Sequence, residues 1–562
     1  MLGEAVSGRH RPHGRRSLSG LLSVVGVALL VGLTAFAVRI MSADAEGCSA
    51  DGIKLTVATS PEIAPAVVDA AKRWGDTRPD VNGKCIRVEV RPVASADVAS
   101  MMAVRVGGRV DVAASPAPTP SDSDIPAVWM PDSTAWLNRV VAVDRGAIVG
   151  DSASIAMSPV VLAIPEAVAR PLLGTAGTGA TPAVMAALLT KLKAKQLKLA
   201  VVEPRRDTAG LAGAMLLKDL IVTGEDKLPE LVFVYRGIGK LPNQDALTKA
   251  FGQGLHMSTM SEQAVLAHNT ASEQQLAAIP LLAGAAALDY PYAAIGGKPR
   301  EIEQAAIKFR AALLEGTYFD AFATRGFRAP DGTARPGFPT GHGVTADPAT
   351  AAALTDPGVV RNALALWSAA IEPSRTLALL DVTSSMGQFV APGITKLNVL
   401  QTASIQGGQL FADASELGLW TYGAGHNEIV PIGRLSQAHR NQLNGAIAAT
   451  RVGATDECAL YETLLEAYKK IKAEYDPNVT NRIVIFIDGR NTKPGMSLGI
   501  LQRELEKQAD VTKPVEVTLI GVGPGVDKKE LDAIAQATGS REAFQVLDPR
   551  DIGSIFVKAL LS

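Results

Sequence analysis

The chain has 562 residues, too many for one hydrophobic core, so two or three domains are expected. Apolar residues make up 47% and charged residues 20%, which excludes a disordered or low-complexity chain. A formal net charge of −1 argues against a nucleic-acid partner.

Residues 1–41 carry Arg9, Arg11, Arg15, Arg16 and Arg39 against Glu4, a net of +4 that leaves −5 on the remainder. Leu18 to Val38 is an uncharged run of about 21 positions, enough as a helix to span a hydrocarbon core of roughly 30 Å. The basic segment RHRPHGRR before it stays cytoplasmic by the positive-inside rule, so everything after Arg39 is exported. The alternative is a cleaved signal peptide, with cleavage near Ala43 or Ala45, but the run exceeds the usual apolar region of about 7–15 residues. Arg15-Arg16 resembles a twin-arginine signal only weakly, and Cys48 lacks the upstream apolar residue of a lipoprotein. The expectation is a single-pass cell-membrane protein: tail 1–17 in the cytoplasm, membrane helix 18–38, bulk outside.

Strands and helices then alternate. IKLTVAT (53–59) reads as a buried strand, Pro61–Trp74 as a helix, CIRVEVRPV (85–93) as a second strand, and Ser95–Val106 as a helix with Ser95 a candidate N-cap. Cys48 and Cys85 bracket this first β–α unit and form a plausible disulfide in an oxidising compartment. RVDVAAS (109–115), VVLAIP (160–165) and LKLAVVEP (197–204) read as further buried strands, and Glu301–Leu314 as a helix. This first unit spans 48–330. Residues 331–350 are rich in Gly, Pro and Thr, and a short helix at Val359–Ala370 completes a linker at 331–372.

A second alternating series fills 373–562. Strands are expected at TLALLDV, LGLWTYG, NRIVIFIDG, VEVTLIGVG and AFQVLDP, with EIVPIG a hairpin partner. Helices are expected at Leu397–Ala412, His439–Ala449, Ala459–Tyr475, Leu498–Gln508, Lys528–Thr538 and Ile552–Leu561. This is a doubly wound α/β domain. Cys458 is the odd cysteine and reads as a buried free thiol, since no activating His or Lys adjoins it.

Asp381, Thr383 and Ser385 follow the apolar strand TLALL directly, at the carboxyl end of a buried parallel strand, where open α/β sheets bind ligands. One carboxylate and two hydroxyls are hard oxygen donors, suited to Mg²⁺, Mn²⁺ or Ca²⁺. The pattern alone is weak and would also suit a helix cap. Its context strengthens it: IVIFI ends in Asp488-Gly489, and Thr455-Asp456 precedes the helix 459–475. With these residues, 375–562 resembles the von Willebrand factor A family. That resemblance implies a metal-ion-dependent adhesion site with Asp381, Thr383, Ser385, Thr455 and Asp488 as ligands, and a protein partner that completes the coordination with an acidic side chain. Thr383 replaces the commoner Ser. The second loop could instead place Cys458 at the usual Thr position, with Asp456 compensating.

Residues 52–330 resemble bacterial extracellular solute-binding proteins of the type II periplasmic fold, through TVATSPEIAP, VWMPDSTAWL, SPVVLAIP, EPRRDTAGLAG, SEQAVLAHN and LDYPYA. That resemblance implies two lobes with an anion or small solute between them. Ser60, Ser133 and Ser158 follow strand-like segments and are candidate cleft residues, though Ser133 also suits a helix cap and Ser158 a turn. The sequence has no phosphate loop, no G-x-S-x-G turn and no H-E-x-x-H helix, so no enzyme is expected. Two functions remain: a cation-dependent adhesion or binding module, and a solute receptor or envelope sensor that works through the first domain.

Overall fold

A computed structural model describes residues 41–42, 52–112, 120–173, 181–222, 227–281, 286–510, 513–538 and 543–548, together with the single positions 555 and 559. The apolar run 18–38 and Cys48 lie outside these residues, as does most of the expected helix Ile552–Leu561. Among the described residues, no helix is long and apolar enough to cross a membrane.

The first domain has two lobes. Lobe one is built on β1 (Ile53–Thr59), α1 (Ala64–Asp76), β2 (Lys84–Pro92), α2 (Ser95–Arg105), β3 (Val128–Met130), α3 (Thr134–Val141) and β4 (Ile148–Ser154). β1 lies parallel between β2 and β3, which is why its apolar side chains are buried on both faces. Residues Met41–Ser42 pair antiparallel with the outer edge of β2.

The chain crosses into lobe two at β5 (Ser158–Pro165), a fully buried strand flanked by later antiparallel strands. Lobe two also contains α4 (Thr208–Ile221), α5 (Leu228–Gly237), β6 (Ser258–Ser261), α6 (Glu262–Ala271), β7 (Leu276–Pro280) and β8 (Ala286–Leu288). The return crossing leads to β9 (Pro291–Ile295), which closes on β3 and β4 of lobe one and is followed by α7 (Arg300–Leu314). Tyr290 occupies this hinge, fully buried, with φ +38°; its carbonyl accepts from Ile155 N–H of the outgoing crossing at 3.1 Å.

Two expectations are corrected. Residues 109–112 form no strand, and the place beside β1 is taken by β3, whose three residues fall between Pro and Asp-rich turns and carry no long apolar run. Ser95 is not a cap: Ala94 holds that position, and the Ser95 hydroxyl instead accepts the backbone N–H of Asp132 at 3.1 Å.

The segment expected as a linker packs against the first domain. The buried Arg328 guanidinium pairs with Glu262 at 2.6 Å and donates to the carbonyls of Thr345 and Asp347, both at 2.7 Å, pinning 331–350 down. Its second half is α8 (Pro357–Ile371). Trp367 of α8 is fully buried, packs its ring tilted against Tyr235 with centroids 5.0 Å apart and donates to Glu203 at 2.9 Å.

The second domain runs through β10 (Ser374–Asp381), α9 (Lys396–Gly408), β11 (Glu416–Tyr422), β12 (His426–Arg434), α10 (Gln437–Ala449), α11 (Leu460–Ala473), β13 (Thr480–Ile487), α12 (Leu498–Gln508), β14 (Glu516–Val522), α13 (Lys528–Ala537) and β15 (Phe544–Val546). The sheet order is β12-β11-β10-β13-β14-β15, parallel except for the edge strand β12. α9 and α10 cover one face; α11, α12 and α13 cover the other. The mixed α/β architecture places the ends of β10 and β13 side by side.

Candidate functional site

Asp381 is the last residue of β10, 1% exposed. One of its oxygens, Oδ1, accepts from the Thr383 N–H at 2.9 Å and the Thr383 hydroxyl at 2.7 Å. The other, Oδ2, is buried with no hydrogen-bond partner. The Thr383 and Ser385 hydroxyls lie 2.9 Å apart, and the Ser385 hydroxyl donates to Asp488 Oδ1 at 2.8 Å. Asp488, 4% exposed, directly follows β13. Adjacent parallel strands thus bring Asp381, Thr383, Ser385 and Asp488 together.

Burial and the neighbouring Asp488 carboxylate push Asp381 up to about 6. Two carboxylates and two hydroxyls meet at one sheet edge; the Lys396 ammonium reaches Asp488 Oδ2, while Asp381 Oδ2 is left without a hydrogen-bond partner. A hard divalent cation fits that donor set, and Asp381, Thr383, Ser385 and Asp488 would hold it.

The third loop is fixed by backbone bonds. Ser384 N–H donates to Thr455 O at 3.0 Å, and Gly453 N–H to Val382 O at 2.6 Å. A Cβ at Gly453 would stand 2.9 Å from that carbonyl, so glycine allows the close approach. Thr455 is exposed at the rim, and its hydroxyl accepts from Glu457 N–H at 3.0 Å. Asp456, also exposed, accepts from the Ser384 hydroxyl. Cys458 is a free thiol buried behind the site; burial and the nearby Asp381 push it up to about 12, leaving a neutral, soft sulfur.

Lys396, at the first turn of α9, is a site residue the sequence reading missed. Its ammonium reaches Asp488 Oδ2 at 3.3 Å, and the side chain is 11% exposed. It lies close in sequence to the motif, but only the turn of α9 against β13 brings it to Asp488.

In the first domain, Ser60, Ser133 and Ser158 are all buried at the lobe junction. Ser133 caps α3 by accepting from Ala135 N–H at 3.2 Å, and Ser158 accepts from Gln263 N–H at 3.0 Å. Ser60 Oγ has no hydrogen-bond partner. The same phrases also carry acids that the sequence alone does not single out. Glu62 accepts from the Tyr290 hydroxyl at 3.3 Å; burial and the nearby Asp207 push it up to about 7. Asp132, 7% exposed, is raised well above the usual carboxylate range by burial and by Glu62 and Asp207. Asp207, from lobe two, is raised by burial; it caps α4 through Gly210 N–H at 2.7 Å and accepts from Gln244 at 2.9 Å. A Cβ on Gly210 would stand 2.1 Å from Val202 O, so glycine lets α4 carry Asp207 into the junction.

Cys85 lies half-buried on β2; its expected partner, Cys48, is outside the described residues.

Residues 55–328 match the family model for bacterial extracellular solute-binding proteins, and 377–558 match that for von Willebrand factor type A domains. Uncharacterized proteins from two strains of Mycobacterium tuberculosis are 24% identical over 522 residues, covering 86% of this chain and 73% of theirs. Among solved structures, a von Willebrand factor type A protein from Catenulispora acidiphila is 18% identical, covering 34% of this chain and 42% of its own, with a TM-score of 0.29. A periplasmic thiamin binding protein is 12% identical, covering 57% and 98%, with a TM-score of 0.41.

Proposed function

Because this chain carries a bacterial extracellular solute-binding domain followed by a von Willebrand factor type A domain, we propose that it is a membrane-anchored, extracytoplasmic binding protein that grips a protein partner through a divalent cation. The observation that carries this reading is the buried, unpartnered Asp381 Oδ2 beside Asp488 and two hydroxyls. Magnesium is the proposed ion, with Mn²⁺ or Ca²⁺ able to replace it. The ion would leave one coordination position open toward solvent, and an acidic side chain of the partner would fill it.

The surroundings support a partner of mixed character. Phe389 is 73% exposed and Ile394 44%, on the short hairpin between the motif and α9, and Val452 is exposed on the neighbouring loop. Exposed apolar side chains clustered beside a charged site are surface that a protein partner can cover. The role is binding rather than catalysis, and the 18–38 run holds the protein in the membrane.

The test is thermal unfolding of the purified protein in EDTA and in 5–10 mM Mg²⁺. A cation with a dissociation constant near 0.1 mM would add about 2–3 kcal/mol. The gain should vanish in Asp381→Ala. Equal melting in both buffers would overturn the reading.

A further inference from the structure

The two domains meet at a crevice lined with bases, on the side of the second domain's sheet that α9 and α10 cover. Arg236 near the end of α5, Lys240 on the short strand Gly239–Leu241 and Arg440 of α10 surround a cavity of about 530 Å³, with the amides of Gln437 and Asn444 beside them. Among the described residues of this wall, Asp413 is the one acid. It pairs with Arg440 at 2.9 Å, but its side chain is 94% exposed and solvent screens the contact. Among the described residues, Arg236 and Lys240 enter no ion pair.

Helix ends account for part of this charge. Arg440 donates to the carbonyls of Gly408 and Phe411, both at 2.8 Å, and Arg236 donates to Ala370 O at 2.8 Å and Gln409 O at 3.4 Å, closing the C-terminal ends of α9 and α8. Each such end presents only about half a negative charge, and a neutral amide would satisfy the same carbonyls. Lys240 is exposed and donates to neither end. Burial and the nearby Arg440 push Arg236 down to about 10. Two guanidiniums are thus held together against their mutual repulsion, with an ammonium on the same wall. The crevice continues past Arg236, Phe411 and Ala412 into a smaller part of about 220 Å³, walled by Val232, Ala365 and Leu410. On that wall Ser368 Oγ is buried with no hydrogen-bond partner. The acids at the far end, Glu372 and Glu516, are matched by Arg205 and Arg482.

We propose that this crevice between the domains binds an organic phosphate, with its phosphate among Arg236, Lys240 and Arg440 and its apolar body against Val232, Leu410 and Phe411. Guanidinium groups present planar, paired donors that match phosphate oxygens, and an ammonium adds a point charge beside them. A phosphate monoester carries about −1.5 to −2 at neutral pH, which answers two unpaired bases; a monocarboxylate would answer one. A cation would meet three like charges. The bases come from both domains, Arg236 and Lys240 from the first and Arg440 from the second, so the ligand would bridge them. Ser368 supplies one hydrogen-bonding group for the body of the ligand.

This inference is independent of the cation site at Asp381. The experiment is calorimetric titration of the purified full chain, in an uncharged detergent, with phenyl phosphate, inorganic phosphate and phenethylammonium. Phenyl phosphate should bind below millimolar concentration and weaken as salt is added. Inorganic phosphate, which lacks the apolar body, should bind several-fold more weakly, and phenethylammonium should not bind. Lys240→Glu, at an exposed side chain that holds no other group in place, should weaken phenyl phosphate tenfold or more, whereas Lys240→Arg should keep it. Asp381→Ala should leave it unchanged. Vesicles of phosphatidylglycerol, against vesicles of phosphatidylcholine, then separate the sources: competition with bound phenyl phosphate assigns the site to a lipid headgroup, and none assigns it to a soluble ester. Absence of phenyl phosphate binding at millimolar concentration, equal affinity in wild type and Lys240→Glu, or preference for phenethylammonium would overturn the proposal.

Discussion

Replacing Glu62 with Gln should flatten the pH dependence of stability of the first domain. Burial and the facing Asp207 lift the Glu62 carboxyl from 4.5 to about 7 in the folded chain. A carboxyl whose folded pKa is raised holds its proton more tightly folded than unfolded. It therefore contributes stability that is complete below about pH 4.5 and is lost as pH climbs through about 7. The displacement corresponds to about 3 kcal/mol, reduced to about 2–3 because the side chain keeps some contact with solvent. Asp132 and Asp207 titrate with it, while Tyr290 and Arg139 face the cluster from the hinge and α3. Urea unfolding of wild type and Glu62→Gln between pH 5 and pH 8 measures this directly. Wild type should lose about 2–3 kcal/mol more than the variant over that interval. Equal slopes for the two proteins would refute the assignment of a buried, protonated Glu62.

Lys396→Met removes the ammonium beside Asp488 and with it a rival cation, so Mg²⁺ affinity should rise several-fold by calorimetry; a fall would mean that Lys396 positions Asp488 instead. Gly453→Ala puts a Cβ 2.9 Å from the Val382 carbonyl and should cost about 1–3 kcal/mol in chemical denaturation while weakening metal binding. Arg328→Ala strands the buried Glu262 carboxylate and releases residues 331–350; a loss of about 3–5 kcal/mol and new proteolytic cleavage there are expected. Native Cys458 should resist iodoacetamide at pH 8, and Cys48 with Cys85 should become alkylatable only after reduction; three reactive thiols without reductant would refute both readings.

Much of this was legible in the chain. The α/β order of the second domain follows from apolar runs that end in oxygen-bearing residues, and Asp381, Thr383 and Ser385 are adjacent in sequence, so their convergence needs only one turn. Asp488 was legible because IVIFI is long and uninterrupted. Other parts depend on contacts between distant residues. Lys396 reaches Asp488 across 92 positions, and nothing local marks that lysine. Glu62, Asp132 and Asp207 lie in TSPEI, MPDST and RRDTAG, where the hydroxyls that follow strands resemble cleft residues more than the acids do. The acids matter only once both lobes close on them. The strand expected at 109–115 shows the reverse error: Val110 and Val112 alternate correctly, yet β3 holds the sheet position and the Asp111 carbonyl is taken by Arg139. The Gly- and Pro-rich composition of 331–350 indicated a linker because composition does not reveal that its carbonyls are held by a buried guanidinium.

The binding role proposed for the second domain depends on a hard cation at the joined ends of β10 and β13. Crystals of the protein soaked in Mn²⁺ and measured for anomalous scattering test it most directly. One strong peak is expected, with the hydroxyl oxygens of Thr383 and Ser385 at about 2.1–2.2 Å, near the metal–oxygen distances of small hard cations. Density at that position filled by the Lys396 ammonium alone, with no anomalous signal at millimolar Mn²⁺, would contradict it.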